Sequence, residues 1–302
     1  MHKTARGLRP RSARLSALAF AAAPFLAPFA HAEPAVGQFE LKTLESAPGQ
    51  FEFQSQNAWS WGQPPRRSAV GPDGIVFDDN TVVRARHALE LEIGITRRFK
   101  TRIGVEFEKE RIDEPETIDR ANDFESMRLE ELGAELIVVL VPREADGVGF
   151  GLVVEIEQPV DQDEASRFIL GPIIEYRAGR WFAAAIPMFV RAFGGEAEEG
   201  ERFDNKWDFA YAAQLRYTFS KRWALALEGY GTVERLGDTG HRSEAARRFG
   251  DFDQHRLGPV LYYTTGLGRG SDAELTIGLG LLEGLNRNTP DHTLKLSIEV
   301  DF

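Results

Sequence analysis

The chain contains no cysteine, which excludes a disulfide framework, a thiolate zinc site and a cysteine nucleophile. It is also short of basic residues. Lys and Arg number 36 against 47 Asp and Glu, a net charge of −11. A general nucleic-acid binder needs a basic patch for the phosphates, so that class is excluded. Apolar runs are scarce beyond the amino terminus, and the mean hydropathy of −0.31 is too polar for a bundle of membrane-crossing helices. Helical periodicity is nearly absent: only RSEAARR at 242–248 would make a helix, and a short one. What remains is 302 residues, 42% hydrophobic and 27% charged. That balance fits folded structure rather than long disorder.

The amino terminus reads as a secretory signal peptide. Lys3, Arg6, Arg9, Arg11 and Arg14 make a basic region without acids, Ala17 to Ala30 is apolar, and Ala30-His31-Ala32 has the small-x-small cleavage pattern. The apolar run is too short for a transmembrane helix and holds Pro24 and Pro28. Cleavage after Ala32 removes five basic residues, so the net charge falls from −11 to −16. An exported, acidic, cysteine-free chain points to the periplasm or outer membrane of a Gram-negative cell.

Period-two alternation dominates the rest, which argues strands. In Trp207 to Phe219 one face carries Trp207, Phe209, Tyr211, Ala213, Leu215, Tyr217 and Phe219, and the other Asp208, Ala210, Ala212, Gln214, Arg216 and Thr218. At the end of the chain Leu294, Leu296, Ile298, Val300 and Phe302 alternate with Thr293, Lys295, Ser297, Glu299 and Asp301. The pattern predicts twelve strands, at 51–61, 81–96, 101–112, 125–141, 148–158, 166–178, 181–192, 206–219, 223–235, 253–265, 272–285 and 292–302.

Connections between these segments alternate long and short. The long set is 62–80, 113–124, 159–165, 193–205, 236–252 and 286–291. A transmembrane barrel has this parity, with short periplasmic turns and longer outer loops. All five tryptophans fall at strand ends, where amphipathic rings meet the headgroups. Trp59, Trp61 and Trp207 would mark the outer rim, and Trp181 and Trp223 the periplasmic rim with Phe219 and Phe302. Alternation does not by itself say which face looks outward; loop parity, tryptophan placement and the carboxyl terminus decide for apolar-out.

The final residues TLKLSIEVDF resemble the terminal strand of bacterial outer-membrane β-barrels. Val300 and Phe302 match the hydrophobic positions and Lys295 the polar one, while Ser297 stands where glycine is usual. LGPVLYYTTG and LTIGLGLLEGLN are similar to porin-like or transporter barrels. The resemblance implies an all-β, transmembrane, antiparallel up-and-down barrel in the cell outer membrane, inserted by the barrel-assembly machinery. Outer-membrane lipids and lipopolysaccharide would be its surroundings. The expected division is a signal peptide at 1–32, a periplasmic lead-in at 33–50 and the barrel at 51–302. Residues 33–50 could equally be a short plug or an extra strand.

With the apolar face outward, parity places fifteen carboxylates on the lumen: Glu90, Glu92, Glu106, Glu108, Glu110, Glu131, Glu135, Glu155, Glu157, Glu175, Asp208, Glu228, Glu274, Glu299 and Asp301. Six basic residues join them: Arg84, Arg86, Arg102, Arg177, Arg216 and Lys295. An acidic ring selects ions by sign, so the expected function is a porin-like channel for small solutes that favours cations or neutral polar molecules. The alternative is a non-conducting barrel locked by Glu–Arg networks.

A lipid-modifying enzyme would need Ser and His in reach of each other. The histidines after the signal segment are His87, His241, His255 and His292, and only His241 and Ser243 stand two apart, in a loop. No catalytic residue, cofactor or metal site is therefore assigned. Asp251, Asp253 and His255 alternate at a strand entry, and Asp291 and His292 adjoin another. The first reads as a polar entry rather than a metal site, and the second stays open between the two. The acidic loops at 113–123 and 196–205 could hold divalent cations against lipopolysaccharide, though like-charge runs are usually solvated.

Overall fold

The computed structural model describes residues 39–71, 74–78, 80–112, 115–143, 145–161, 164–194, 207–234, 236, 244–268 and 273–302. The expected signal peptide, the loop at 196–205, and His241 with Ser243 lie outside the described residues.

The strands in chain order are β1 (Phe51–Trp61), the short β2 (Ser68–Val70) and β3 (Ile75–Phe77), β4 (Val83–Thr96), β5 (Phe99–Glu110), β6 (Arg128–Val141), β7 (Gly147–Pro159), β8 (Ser166–Ala178), β9 (Trp181–Phe193), β10 (Asp208–Thr218), β11 (Trp223–Val233), β12 (Gln254–Gly266), β13 (Glu274–Gly284) and β14 (His292–Asp301). All but β2 and β3 form one closed antiparallel barrel of twelve strands. Closure runs from Glu52 opposite Asp301 to Trp61 opposite His292, with the Phe302 amide donating to the Phe51 carbonyl at 2.8 Å. A closed sheet leaves no backbone edge, and an edge is what hydrocarbon cannot satisfy. Every predicted strand is present. What alternation did not show is the β2–β3 hairpin inside the first long connection. A helix, α1 (Glu244–Phe249), sits in the β11–β12 connection and overlaps the stretch read as helical.

Burial settles which face looks outward. Ile103 is 58% exposed, while its neighbour Arg102 is 3% exposed. On β10 the Leu215 side chain is exposed and Ala210, Ala212 and Gln214 are buried. Leu91, Leu132, Leu136, Ile174, Leu227, Leu261 and Leu279 continue the outer apolar surface around the barrel. A water-soluble barrel would have the reverse arrangement.

The tryptophans sit at both ends of this surface. Trp181 packs on Tyr217 and Trp223 on Tyr263, with ring centres 4.8 and 4.7 Å apart, at the short-turn end. Trp59 meets His87 and Trp61 meets His292 at the long-loop end. There too the Arg191 guanidinium lies over Trp207. The long-loop end is tied across the barrel. Arg67 bonds Asp78 at 2.8 Å and lies over Phe249 and Phe252, and the Gln254 side chain donates to the Thr81 carbonyl at 2.8 Å.

Register shifts fall in the β4–β5, β5–β6 and β6–β7 ladders. A bulge moves the side chains beyond it to the other face. Arg84 falls at the shift between Val83 and Ala85, where it is exposed and lies over the Phe124 ring at 5.3 Å.

Candidate functional site: the lumen and the segment inside it

The lumen has two unlike walls. Along β4 to β7 the inward side chains are mostly charged. Along β8 to β12 an apolar cluster of Ile169, Ile173, Ile186, Met188, Val190, Ala210, Ala212, Ala226 and Val260 is buried, with Arg167, Glu175, Asp208, Glu228 and Arg256 set among it, and Ile137, Val139 and Val153 of β6 and β7 join it. The amino-terminal segment runs between them. Gly49 and Gln50 turn against Gly94 at the short-turn end, with Gly49 N donating to Gly94 O at 2.7 Å. From there the chain continues into the barrel, and Phe39, Glu40, Lys42 and Leu44 are all buried.

The segment carries both kinds of side chain and finds partners for both. The Lys42 ammonium bonds Glu135 and lies 3.0 Å from Glu155 and 3.5 Å from Glu40. Glu40 also pairs with Arg102, which bonds Glu92 at 2.9 Å and lies 3.6 Å from Glu90. Lys100 bonds Glu92 at 2.8 Å and Thr43 at 3.2 Å. On the other side Phe39 packs on Tyr230 with ring centres 5.6 Å apart, and Arg256 lies over Phe39. Leu44 fills the space above β7 because the wall there is glycine: a Cβ at Gly151 would meet Leu44 Cδ2 at 2.5 Å. The Leu44 amide donates to Glu175 at 2.7 Å.

Nearer the long loops, Arg86 bonds Glu106 and lies 3.3 Å from Glu108, while Arg167 bonds Glu131 at 2.9 Å and Glu157 at 3.3 Å. A cavity of about 30 Å³ remains among Glu40, Arg86, Glu90, Glu106, Glu131 and Glu157. A separate knot spans the lumen from β14 to β11. Lys295 donates to Glu228 and to the Tyr230 hydroxyl, both at 2.7 Å, and Tyr230 donates on to Glu228 at 2.7 Å. Glu228 is fully buried. Buried charges persist only when paired, and these are.

Of the remaining residues expected in the lumen, Asp208 is buried, while Glu110, Glu299 and Asp301 are partly buried. Asp301 accepts from the Gln50 side chain at 3.3 Å. Glu274 is exposed at the short-turn end. Arg177 and Arg216 stand at the mouth of that end, where Arg143 bonds Glu175 at 2.7 Å and pairs with Glu45.

Parity reading missed Lys100, because the strand was begun one residue too late. It passed over Arg167, which shares parity with Glu175 and Arg177. Glu40 and Lys42 lie outside any barrel strand, so no parity applied to them. The polar entries stay apart: Asp253 accepts from the Glu234 amide at 2.9 Å, His255 pairs with the Tyr211 hydroxyl at 3.1 Å, and His292 with Glu283 at 2.7 Å. His87 bonds Asn57 at 2.6 Å.

No protein-family model and no curated protein matches this chain. Solved structures do. An outer membrane channel from Pseudomonas putida F1 is similar over 90% of this chain and 99% of its own, at 14% identity and a TM-score of 0.51. The NanC porin is similar over 83% of this chain and 98% of its own, at 8% identity and a TM-score of 0.47. The KdgM porin matches over 84% and 98%, at 7% identity and a TM-score of 0.43. In fold the chain is similar to the Pseudomonas putida outer membrane channel, and it is itself a closed antiparallel barrel of twelve strands.

Proposed function

We propose that this protein is an outer-membrane channel for small solutes, closed at rest by its own amino-terminal segment. The observation that carries this reading is Lys42. The cation that balances Glu135 and Glu155 comes from a segment outside the barrel wall. A barrel meant to stay shut can place such a cation on a strand, as Lys295 does for Glu228. A segment outside the wall can leave, and its departure exposes the carboxylates of β4 to β7 to water. The open lumen then favours cations or neutral polar solutes along that wall, since an acidic lining attracts cations. The Pseudomonas putida channel, alike in fold, fits this reading.

Planar-bilayer recording tests it. Wild-type protein is expected to be mostly silent. A variant lacking residues 39–47 is expected to conduct steadily, with a reversal potential in a KCl gradient that marks cation preference. A folded deletion variant that never conducts would sink the channel reading in favour of a sealed barrel.

A further inference from the structure

One sector of the short-turn mouth, between the β8–β9 and β10–β11 turns, is rich in cations. A cavity of about 480 Å³ opens there, lined by Arg177, Arg180, Arg216, Lys221, Trp181 and Phe182. Ligand pockets commonly have this size. Three guanidinium groups crowd one aromatic ring: Arg216, Arg143 and Arg177 lie 4.8, 5.4 and 5.7 Å from the centre of Phe182. Arg143 is committed to Glu175 and Glu45, and Arg177 lies 3.8 Å from the same Glu45. The other cations are not so engaged. Arg216 Nε is buried and has no hydrogen-bond partner among the described residues. Arg180 and Lys221 stand on the two turns that frame the cavity, both exposed. The first of these turns is held by Gly179, with φ of 57°, whose amide donates to Asp146 at 2.7 Å.

We propose that this vestibule is a binding site for a small oxyanion, a carboxylate or phosphate compound, taken up at the short-turn mouth. The planar fork of Arg216 matches a carboxylate or phosphate in a bidentate pair. Phe182 keeps that guanidinium in place by stacking. Arg180 and Lys221 add charge from the turns, and Trp181 offers an apolar edge to the ligand's body. The site stands without the channel reading, because binding needs no through-passage.

Calorimetric titration of the full mature chain in uncharged detergent at low salt tests it, with citrate and inorganic phosphate as probes and glycerol as the neutral control. Saturable binding of one citrate per chain is expected, and no heat from glycerol. Arg180→Gln with Arg216→Gln is expected to weaken citrate roughly tenfold or more, the loss typical of charge-assisted contacts. Arg97→Gln with Arg98→Gln removes the same charge from another turn and is expected to leave affinity unchanged. Equal losses in both double variants, or no saturable citrate binding in the wild type, would overturn the site. Arg216→Lys keeps the charge without the fork, so partial retention supports the bidentate pair. A repeat with phosphatidylglycerol in the micelles separates the sources: if the lipid displaces citrate, the same oxyanion site serves a lipid headgroup, and if it does not, the ligand is a free solute. Retained heat-modifiable migration on gels confirms that each variant is folded.

Discussion

The two walls of the lumen follow opposite rules. Along β4 to β7 the interior is a lattice of Glu, Arg and Lys that reaches Arg167 of β8, and along β8 to β12 a cluster of Ile, Val, Met and Ala surrounds a few buried ions such as Glu175 and Glu228. An apolar wall gains by losing water, about 25 cal/mol for each Å² covered. A charged wall loses by it unless every ion finds a partner. One segment satisfies both, placing Phe39 and Leu44 with the apolar cluster and Glu40 and Lys42 with the lattice. Inside a barrel, then, an amphipathic strand-like segment docks as it would on a half-buried sheet, provided the two walls differ.

The sharpest way to break this contrast is to remove the cation that the segment brings to the acidic wall. Lys42→Met leaves Glu135 and Glu155 buried without it, and breaking such a pair costs about 3–5 kcal/mol. We expect residues 39–47 to undock, read as rapid proteolysis between positions 39 and 50 while the barrel resists. A segment as protected as in wild type would refute the Lys42 anchor. Lys295→Met should cost nearly as much, about 3 kcal/mol, because Glu228 is fully buried. Here the loss falls on the barrel itself, seen as a lower unfolding temperature, and Glu228→Gln in the same chain should recover most of it. On the apolar side Leu44→Ala should cost about 2–3 kcal/mol of docking. It should raise the opening frequency in bilayers without altering ion preference; a changed preference would mean Leu44 shapes the conducting path.

The smallest effect is expected outside the membrane-spanning strands. Glu164, in the β7–β8 connection, is pushed up to about 7 by burial and by the Glu130 carboxylate, against the pull of Arg128 at 3.6 Å. A carboxyl raised in this way favours the protonated fold. Its contribution is full below the ordinary value of 4.5 and is lost as pH rises through about 7. Hydrogen-exchange protection of Ala165 and Ser166, corrected for intrinsic rates, should fall between pH 5 and pH 8 and stay flat in Glu164→Gln. Equal protection at both pH values would remove the loop from the account.

Much of the fold was legible because alternation is a local property. Trp207 to Phe219 shows its two faces in the order of its letters, and loop lengths report which end of the barrel they close. Arg84 shows the limit. Its parity matches Arg86, but the bulge between Val83 and Ala85 breaks the count, and nothing in VRARHALE marks the extra residue. The vestibule was half legible. Arg177 and Arg216 were on the lumenal face by parity, but Arg180 and Lys221 sit in turns, where parity has no meaning. The segment inside the lumen was the least legible, since a short amphipathic stretch before the first strand fits a lead-in, a plug or a strand equally well.

The letters alone determined a twelve-strand alternating chain with its loops sorted by length, because each of those features depends on neighbours a few residues apart. Only the closed barrel decided which acids meet which cations and that Lys42 is one of them, since pairing across a lumen joins residues as distant in sequence as Lys42 and Glu135. The gathering of Arg177, Arg180, Arg216 and Lys221 at one mouth was decided in the same way, by curvature that brings two turns together.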